Sequence, residues 1–270
     1  MRWGLVAKPN DKTVERIAKE VYSFIKENGE VFAETKIAKP LGIKGFSTAE
    51  INKEAEVVVT VGGDGTILFA LKEIDKPIFA INSSAMGFLT EVDAKYAESG
   101  LKKLLKGDYN VEERAKLKVL LDEERLPDAA NEVTVQTATI AKIIDFNIFV
   151  DDEVIDVLKA DGVIIATPTG ATGYALSVGG PIVDPRVDAA VIAPIAPFRL
   201  STRPWIVPID KRVCVELAGE SKVAKLVVDG RDSFDLHPGQ RVCITLSETR
   251  ARFIRFGETF YQTVRLKLVR

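Results

Sequence analysis

Cysteine and histidine are nearly absent from this sequence, which has two cysteines and one histidine among 270 residues. Cys214 and Cys243 stand far apart in apolar segments without neighbouring metal-type residues, so neither a disulfide framework nor a zinc site is predicted. We expect both to be core residues of a protein in a reducing compartment. The single histidine, His237, lies in a turn-like segment, which leaves hydrolytic triads without support.

Long hydrophobic runs and an excess of one charge are also missing. No apolar stretch reaches the length of a membrane span, and the first residues have a strand pattern rather than that of a signal peptide. The net charge is −2, from 37 basic and 39 acidic residues mixed along the chain, which provides no basic field for nucleic acid. We therefore expect a soluble, cytoplasmic protein whose partners include neither a membrane nor a nucleic acid.

The first part of the chain alternates strand and helix patterns, and the total length suits two modest domains. Residues 2–7 predict a strand, residues 11–28 an amphipathic helix and residues 31–34 a second strand. Residues 56–61 form a nearly continuous apolar run, which is typical of a parallel strand covered by helices on both faces. Residues 1–106 are therefore predicted to form a doubly wound α/β domain.

After Gly107 the pattern changes to alternation at period two, interrupted by turn residues. This pattern predicts a second, mostly antiparallel β-sandwich domain over residues 107–257. The predicted strands of this domain cover residues 116–121, 132–137, 145–150, 162–166, 212–217, 225–228 and 241–246. The final segment, residues 258–270, has apolar residues at fourfold spacing, so we predict a helix that packs back on the first domain.

A glycine-rich turn, Gly62 to Thr66, follows the predicted strand 56–61 and precedes a predicted helix. Ligands of open α/β sheets bind at this end of the strands, and glycines let a phosphate approach backbone N–H groups at a helix N-terminus. Asp64 in such a turn would repel a phosphate unless it binds a magnesium ion or accepts the proton of an attacking hydroxyl. Both roles fit phosphoryl transfer. The alternative is that Asp64 only caps the helix.

A second loop, residues 167–180, follows the predicted strand 162–166 and concentrates hydroxyl groups, glycines and one aromatic ring. Such a loop can surround a nucleotide, whereas the alternative is an irregular connection between strands. Two further pairs, Asn131-Glu132 and Lys159-Asp161, flank predicted strands. An adjacent Asn and Glu can bind the two hydroxyls of a ribose, although such pairs alone are more often solvated strand ends.

These motifs resemble those of the NAD kinase family, in order and across nearly the whole chain. The Gly-Gly-Asp-Gly turn is shared with phosphofructokinases and with diacylglycerol and sphingosine kinases, so by itself it indicates only a kinase of this broad group. The later motifs are more specific to NAD kinases. They are Ile81-Asn82 with Met86 to Thr90, Asn131-Glu132, Asp161-Gly162, Thr167 to Ser177 with Gly179 to Pro181, and Leu200 to Pro204.

The resemblance implies a role for individual residues. Asp64 would be the proton acceptor, Gly65 would contact NAD, and Asn131 and Glu132 would bind the ribose whose 2′-hydroxyl attacks. The other residues that match dinucleotide-contacting positions are Lys142, Lys159, Asp161, Thr172, Gly173, Tyr174, Ala175, Leu176, Ser177 and Arg231. Many relatives have glutamine where this chain has Arg231. No residue is assigned as a metal ligand.

The resemblance further implies transfer of a phosphoryl group from ATP or polyphosphate to the 2′-hydroxyl of the adenosine ribose of NAD, which forms NADP. Mg²⁺ or another divalent cation would arrive with the donor. A site between the two domains and a homodimer or homotetramer are also implied. Two alternatives stay open: a lipid or sugar-phosphate kinase with the same turn, and a non-catalytic NAD-binding protein, which is expected to lack the Asp64 carboxylate.

Overall fold

The chain forms two compact units in the computed structural model, which describes residues 1–84, 87–139, 142–218, 222–257 and 260–268. Unit 1 comprises Met1–Glu113 together with Ala251–Arg270. Unit 2 comprises Arg114–Arg250. The chain therefore leaves unit 1 once, builds unit 2, and returns to unit 1 for its final segment.

Unit 1 begins with alternating strands and helices. These are β1 (Arg2–Ala7), α1 (Lys12–Glu27), β2 (Glu30–Glu34), α2 (Thr35–Leu41), β3 (Gly45–Phe46), α3 (Thr48–Glu54), β4 (Val57–Gly62), α4 (Asp64–Leu71), β5 (Ile78–Asn82), β6 (Val92–Asp93) and α5 (Ala97–Lys106). Strands β1 to β5 pair in parallel in the order β5-β4-β1-β2-β3. This is the α/β arrangement that the alternating pattern predicts.

The burial of β4 explains its apolar sequence. All six residues of the strand are buried, as expected for a central parallel strand covered on both faces. Helix α1 contributes Val14, Ile17 and Val21 to the buried core on one side of the sheet. It begins at the N-cap Asp11, whose carboxylate accepts hydrogen bonds from two backbone N–H groups of the first turn.

Unit 2 consists mainly of strands. These are β7 (Asn110–Leu121), β8 (Glu124–Ala129), β9 (Glu132–Thr137), β10 (Ile144–Val150), β11 (Glu153–Ala160), β12 (Gly162–Ala166), β13 (Ala189–Ile195), β14 (Trp205–Pro208), β15 (Val213–Leu217), β16 (Ala224–Val228), β17 (Asp232–Leu236) and β18 (Arg241–Arg255), with α6 (Tyr174–Ser177) after β12. The first residues of β7 and the last residues of β18 belong to unit 1.

Two layers of antiparallel strands share one core in unit 2. One layer has the order β14-β13-β12-β9-β16-β17, and the other includes β11-β10-β15-β18. Val133 and Ile165 from the first layer and Phe146 and Val215 from the second are fully buried in the same cluster. The predicted β-sandwich is therefore confirmed.

Cys214 and Cys243 form a disulfide, so the prediction of two separate core thiols is wrong. Strands β15 and β18 are antiparallel neighbours, and their register places the two cysteines directly opposite each other with Cα atoms 4.1 Å apart. The cysteines are 29 residues apart in sequence, and neither segment alone indicates that the two strands pair. The bond therefore joins two neighbouring strands within unit 2.

The final segment of the chain includes helix α7 (Phe260–Leu268). The Lys267 ammonium group of this helix lies 4.6 Å from the centre of the Phe88 ring, and both residues belong to unit 1. Of the predicted helix 258–270, residues 258, 259, 269 and 270 lie outside the described residues. In the described parts of the chain, every helix is too short or too polar to cross a membrane.

Candidate functional site

The glycine turn connects β4 directly to α4 in unit 1. Gly62 has a φ of +156°, and a Cβ atom there would stand 2.3 Å from the Thr66 hydroxyl oxygen, so the position tolerates only glycine. Gly63 is the N-cap of α4 and makes no side-chain cap bond, whereas Asp64 is the first residue of the helix. The alternative reading of Asp64 as a simple N-cap is therefore wrong.

The Asp64 carboxylate is held by a different segment of unit 1. The backbone N–H of Phe88 donates to Oδ2 at 2.8 Å, and the N–H of Leu89 donates to Oδ1 at 3.1 Å. Such charge-assisted bonds fix the carboxylate and leave each oxygen further acceptor capacity. Gly65, the next helix residue, is exposed at the N-terminal turn of α4, where backbone N–H groups favour anions. Met86, part of the adjacent motif, lies outside the described residues.

In unit 2, Asn131 and Glu132 lie at the start of β9 and are fixed by Asp229. The Asp229 carboxylate accepts hydrogen bonds from the backbone N–H groups of Ala130, Asn131 and Glu132 at 2.8, 2.8 and 3.1 Å. Asp229 itself lies in the β16–β17 turn with a φ of +47°, a conformation that Asp and Asn tolerate better than most residues. This turn therefore fixes the backbone of the predicted ribose-binding pair.

Two buried oxygen atoms of this pair have no hydrogen-bond partner among the described residues: Oδ1 of Asn131 and Oε2 of Glu132. Burial, and to a lesser extent the negative charge of Asp229, together raise the pKa of the Glu132 carboxyl to about 7. Burial also raises the pKa of Asp229, against the three backbone N–H groups and the charge of Lys116, which lower it. Unpartnered buried acceptors are costly, so these two oxygens are candidates to accept hydrogen bonds from the donor groups of a ligand.

The loop of residues 167–180 starts beside the same pair. The Thr167 hydroxyl donates to the Ala130 carbonyl oxygen at 2.7 Å, and the Thr167 N–H donates to the Asn131 carbonyl oxygen at 2.8 Å. A Cβ atom at Gly173 would stand 3.4 Å from Oε2 of Glu132, so the loop reaches the unpartnered carboxylate oxygen. The structure therefore brings Gly173 together with Asn131 and Glu132.

The rest of the predicted loop residues differ in exposure. Thr172 and Gly173 are half-buried around the end of a 3₁₀ turn, Gly170–Thr172. Helix α6 then exposes Tyr174 and Ser177, half-buries Leu176 and buries Ala175 completely. The exposed tyrosine ring and serine hydroxyl are available to a ligand, whereas Ala175 contributes only backbone and packing.

Lys142, Lys159 and Asp161 lie away from Asn131 and Glu132. The antiparallel register pairs Glu132 with Ala166 at one end of β9 and β12, whereas the Asp161 carbonyl oxygen accepts from Thr137 at the other end. The five residue steps from Glu132 to Thr137 span roughly 17 Å at about 3.3 Å per step. Lys142 and Lys159 are exposed, and Asp161 is half-buried. Lys159 and Asp161 therefore lie near the end of this strand pair opposite to Glu132. Lys142 lies near the same end, since its N–H donates to the Thr139 carbonyl oxygen at 3.3 Å.

Arg231 lies next to Gly230 in the turn that also contains Asp229. It is exposed, and its backbone N–H donates to the Val228 carbonyl oxygen at 2.9 Å. Arg231 is therefore two residues from the carboxylate that fixes Asn131 and Glu132, on the same side of unit 2 as that pair.

A divalent cation is the one cofactor that the sequence implies. In the described ranges, no group of three or more His, Cys, Asp or Glu side chains converges in a way that could hold a metal ion. Mg²⁺ in phosphoryl-transfer sites commonly has only one or two protein carboxylates as ligands and completes its shell with water and phosphates. The residues present therefore fit a cation that arrives on the phosphates of the donor.

Sequence reasoning assigns no role to two residues of this site, Asp229 and Gly87. Asp229 shows only an Asp-Gly turn signal, and its role depends on the pairing of β16 with β9. Gly87 belongs to a motif that resembles the family, but glycine is needed there because of a tertiary contact. A Cβ atom at this position would stand 1.9 Å from Oδ1 of Asp64. Neither contact has a signature in the local sequence.

Comparison with known proteins matches both units. The model of the ATP-NAD kinase N-terminal domain matches residues 3–109, and that of the ATP-NAD kinase C-terminal domain matches residues 130–256. An NAD kinase of Methanothermobacter thermautotrophicus is 41% identical over 100% of this chain and 96% of its own length. An NAD kinase of Thermococcus kodakarensis is 39% identical over 99% of both chains.

Solved structures agree with these matches. The crystal structure of an NAD kinase from Archaeoglobus fulgidus in complex with ATP is 32% identical, with a TM-score of 0.80 over 98% of this chain and 97% of that chain. Yeast NADH kinase complexed with NADH superposes with a TM-score of 0.92 over 100% of this chain and 87% of that chain. At 24% identity, the yeast structure supports the fold alone.

The fold, the glycine turn and the relatives define a phosphotransferase with an alcohol group as acceptor. The chain belongs to the NAD kinase family, since family models match most of its length and relatives are similar over all of it. This membership favours NAD kinase over the lipid-kinase and sugar-phosphate-kinase alternatives.

Proposed function

We propose that this protein transfers the terminal phosphoryl group of ATP to the 2′-hydroxyl of the adenosine ribose of NAD. A bond forms between the 2′-oxygen and the γ-phosphorus, the bond from that phosphorus to the β,γ-bridging oxygen breaks, and ADP and NADP are the products. The hydroxyl proton goes to a base on the protein. Family membership supports this reaction, and the unpartnered buried oxygens of Asn131 and Glu132 are the structural observation that carries it.

Asn131 and Glu132 bind the adenosine ribose in this proposal. A ribose presents two adjacent hydroxyl groups, each of which can donate one hydrogen bond and accept others. The amide oxygen of Asn131 and the carboxylate of Glu132 accept from these hydroxyls, which satisfies the two buried oxygens. The Asn131 amide N–H₂ group can donate in return. Because their backbone is held by Asp229, the pair is oriented before NAD binds.

Asp64 accepts the proton of the attacking hydroxyl in this proposal. Its carboxylate is fixed by two backbone donors yet keeps free lone pairs, so it can hold the hydroxyl in one orientation. Gly65 and the N-terminal turn of α4 supply backbone N–H groups that face phosphate oxygens. Phosphoryl transfer depends mostly on positioning and on neutralising charge, so these contributions are the ones the chemistry needs.

The loop of residues 167–180 holds the rest of the dinucleotide. Tyr174 offers an exposed ring for stacking, and Ser177 offers an exposed hydroxyl. Backbone groups and apolar contacts to the dinucleotide come from the other loop residues, Thr172, Gly173, Ala175 and Leu176. Arg231 lies near enough to Asp229 to reach the same ligand with its cationic side chain. A divalent cation bound with the donor would neutralise phosphate charge, and no residue of the described chain is assigned as its ligand.

Lys142, Lys159 and Asp161 contact the dinucleotide bound by another copy of the chain. Their distance of roughly 17 Å along β9 from the pair Asn131 and Glu132 supports this assignment. Two edge strands of unit 2 expose apolar side chains. Ile206 of β14, in the same sheet as β9, is 58% exposed, and Val157 of β11, in the other sheet, is 59% exposed. Such exposed residues suit burial against a second subunit. The assembly proposed is a homodimer or homotetramer, active in the cytoplasm, where both substrates are available.

The test is a coupled assay of the purified protein with NAD and Mg²⁺, and with ATP or polyphosphate supplied in parallel. NADP is read with an NADP-specific dehydrogenase. NADP formed from either donor establishes the reaction and names the donor. A folded protein that binds NAD but forms no NADP from either donor contradicts the proposal and supports the non-catalytic alternative.

A further inference from the structure

Arg255, the last residue of β18, lies in a buried polar network of unit 1 far along the chain from the glycine turn. Only 8% of its side chain is exposed. Its Nη1 donates to the Glu91 carboxylate at 3.0 Å, and its Nε donates to the Glu112 carboxylate at 2.8 Å. A buried guanidinium group with two carboxylate partners is well compensated, so the side chain has one strongly preferred position.

The same guanidinium group also holds the backbone that binds Asp64. Nη1 of Arg255 donates to the Leu89 carbonyl oxygen at 3.1 Å, while the Leu89 N–H donates to Oδ1 of Asp64. One residue, Leu89, therefore has its carbonyl bound to Arg255 and its N–H bound to the predicted catalytic base. Leu89 is 3% exposed, so water has little access to replace either bond.

Glu91 closes the network from the other side. One oxygen of its side chain accepts from Arg255, and the other accepts from the Phe256 N–H at 2.7 Å. The Glu91 backbone N–H donates to the Ala80 carbonyl oxygen of β5 at 2.9 Å. Hydrogen bonds therefore connect segment 87–91 both to β5 of the central sheet and to the end of β18. These bonds fix the position of the segment relative to α4.

We propose that Arg255 is a positioning residue for Asp64: it fixes segment 87–91, and that segment orients the carboxylate toward the attacking hydroxyl. The inference rests on the proposed function, in which Asp64 is the base. In this proposal Arg255 acts through Leu89 and not by contact with a substrate. A guanidinium group suits this task better than an ammonium group because its planar fork binds a carbonyl and two carboxylates in one geometry.

Removing Arg255 can also affect stability, since it leaves buried carboxylates without a partner. The experiment therefore uses Arg255→Lys, which keeps the charge, and Glu91→Gln, which keeps an oxygen for the Phe256 N–H. Arg252→Lys is the matched control: Arg252 lies on the same strand and pairs with Glu113 at 3.2 Å, with 41% of its side chain exposed. Melting temperatures confirm that each variant is folded.

The measurement is kcat and KM for NAD in the coupled assay, in the wild-type background and in an Asp64→Asn background. If Arg255 acts through Asp64, Arg255→Lys lowers kcat on the order of 10²-fold, the loss reported for a misplacement near 1 Å, and leaves KM nearly unchanged. Glu91→Gln also lowers kcat, and Arg252→Lys has the kcat and KM of the wild type. In the Asp64→Asn background, Arg255→Lys causes no further loss, because there is no base left to position.

Two outcomes overturn the inference. A folded Arg255→Lys variant whose kcat stays within twofold of the wild type shows that the network does not orient the base. Arg255 has only a structural role if Arg255→Lys lowers kcat by the same factor in the Asp64→Asn background as in the wild type. The same holds if Arg255→Lys changes KM and leaves kcat unchanged. Wild-type turnover in Asp64→Asn alone is a different failure, because it removes the proposed role of Asp64 and leaves the geometry around Arg255 intact.

Discussion

Gly87 lies directly against the carboxylate of Asp64, and a Cβ atom at Gly87 would stand 1.9 Å from Oδ1. Real Cβ atoms never approach so closely, so Gly87→Ala must displace the carboxylate or the segment that binds it. We expect kcat to fall roughly 10- to 10²-fold with little change in NAD affinity. Gly257→Ala is the control, since a Cβ atom there has no neighbour within 4 Å. Equal activity of the two variants contradicts the assigned position of the carboxylate.

Asp64→Asn removes the proposed base and also disturbs its support. The two carboxylate oxygens each accept from one backbone N–H, so an amide group places N–H₂ against one of these donors. We expect turnover to drop by about 10² to 10⁴, the usual contribution of a general base. NAD affinity, measured by calorimetry, should stay close to that of the wild type. An unchanged rate removes Asp64 from the catalytic role.

Glu132 makes the stability of the protein depend on pH. Its pKa is raised from 4.5 to about 7, so the folded protein holds this proton more tightly than the unfolded chain. Below pH 4.5 the Glu132 carboxyl is protonated in both the folded and the unfolded state, so it does not lower the free energy of unfolding. As the pH rises from 4.5 to 7 the unfolded chain ionises first, and the free energy of unfolding falls by up to a few kcal/mol.

Glu132→Gln removes this dependence while keeping the shape of the side chain. We expect the variant without NAD to become more stable than the wild type above pH 7, and equally stable near pH 4.5. Urea unfolding of both proteins at pH 4.5, 6 and 8 measures the difference, in which the other titrating groups cancel. A difference that is constant across this range contradicts the raised pKa of Glu132.

Asp229→Asn weakens the support of the ribose-binding pair without changing the turn, because Asn also tolerates a positive φ. The amide keeps one acceptor oxygen for Asn131 and Glu132, but its N–H₂ group faces the N–H of Ala130. We expect KM for NAD to rise about tenfold, on the scale of one lost charged hydrogen bond. The pKa of Glu132 should also fall, since the Asp229 charge raises it. Asp235→Asn, on the exposed part of the same hairpin, is the control.

The disulfide between Cys214 and Cys243 should stabilise the oxidised protein. For two cysteines 29 residues apart, loop closure accounts for roughly 3.5 kcal/mol, or a melting temperature higher by on the order of 10 °C. Thermal unfolding with and without a reductant tests this expectation, with a thiol assay on the denatured protein to count free cysteines. The double variant Cys214→Ala with Cys243→Ala should melt at the temperature of the reduced protein and show no response to the reductant.

Local patterns predicted the regular elements better than the irregular ones. The bounds of β1 and β9 match the predicted strands, because apolar residues and turn signals coincide with their ends. Strand β18 was predicted to end at residue 246 but continues to Arg255. Its second half carries Glu248, Arg250 and Arg252, whose charges mask the strand pattern. Glu248 pairs with Lys118 and Arg252 with Glu113, both on β7.

The candidate site was predictable only where its chemistry lies in contiguous residues. Asp64 and the pair Asn131-Glu132 stand out because a carboxylate among glycines and adjacent Asn and Glu are chemically unusual. The donors at Phe88 and Leu89 and the acceptor Asp229 are ordinary in sequence. Their roles come from tertiary pairing that no local pattern encodes.

The return of β18 to unit 1 has a consequence for synthesis on the ribosome. Segment Ala251–Arg270 is synthesised after the whole of unit 2, yet it supplies Ile254 to the core of unit 1 and Arg255 to the network beside Asp64. Unit 2 can therefore fold as it emerges, whereas unit 1 must wait until residues 251–270 have been synthesised. A nascent chain stalled before residue 251 has the glycine turn but not the arginine that we infer orients its carboxylate.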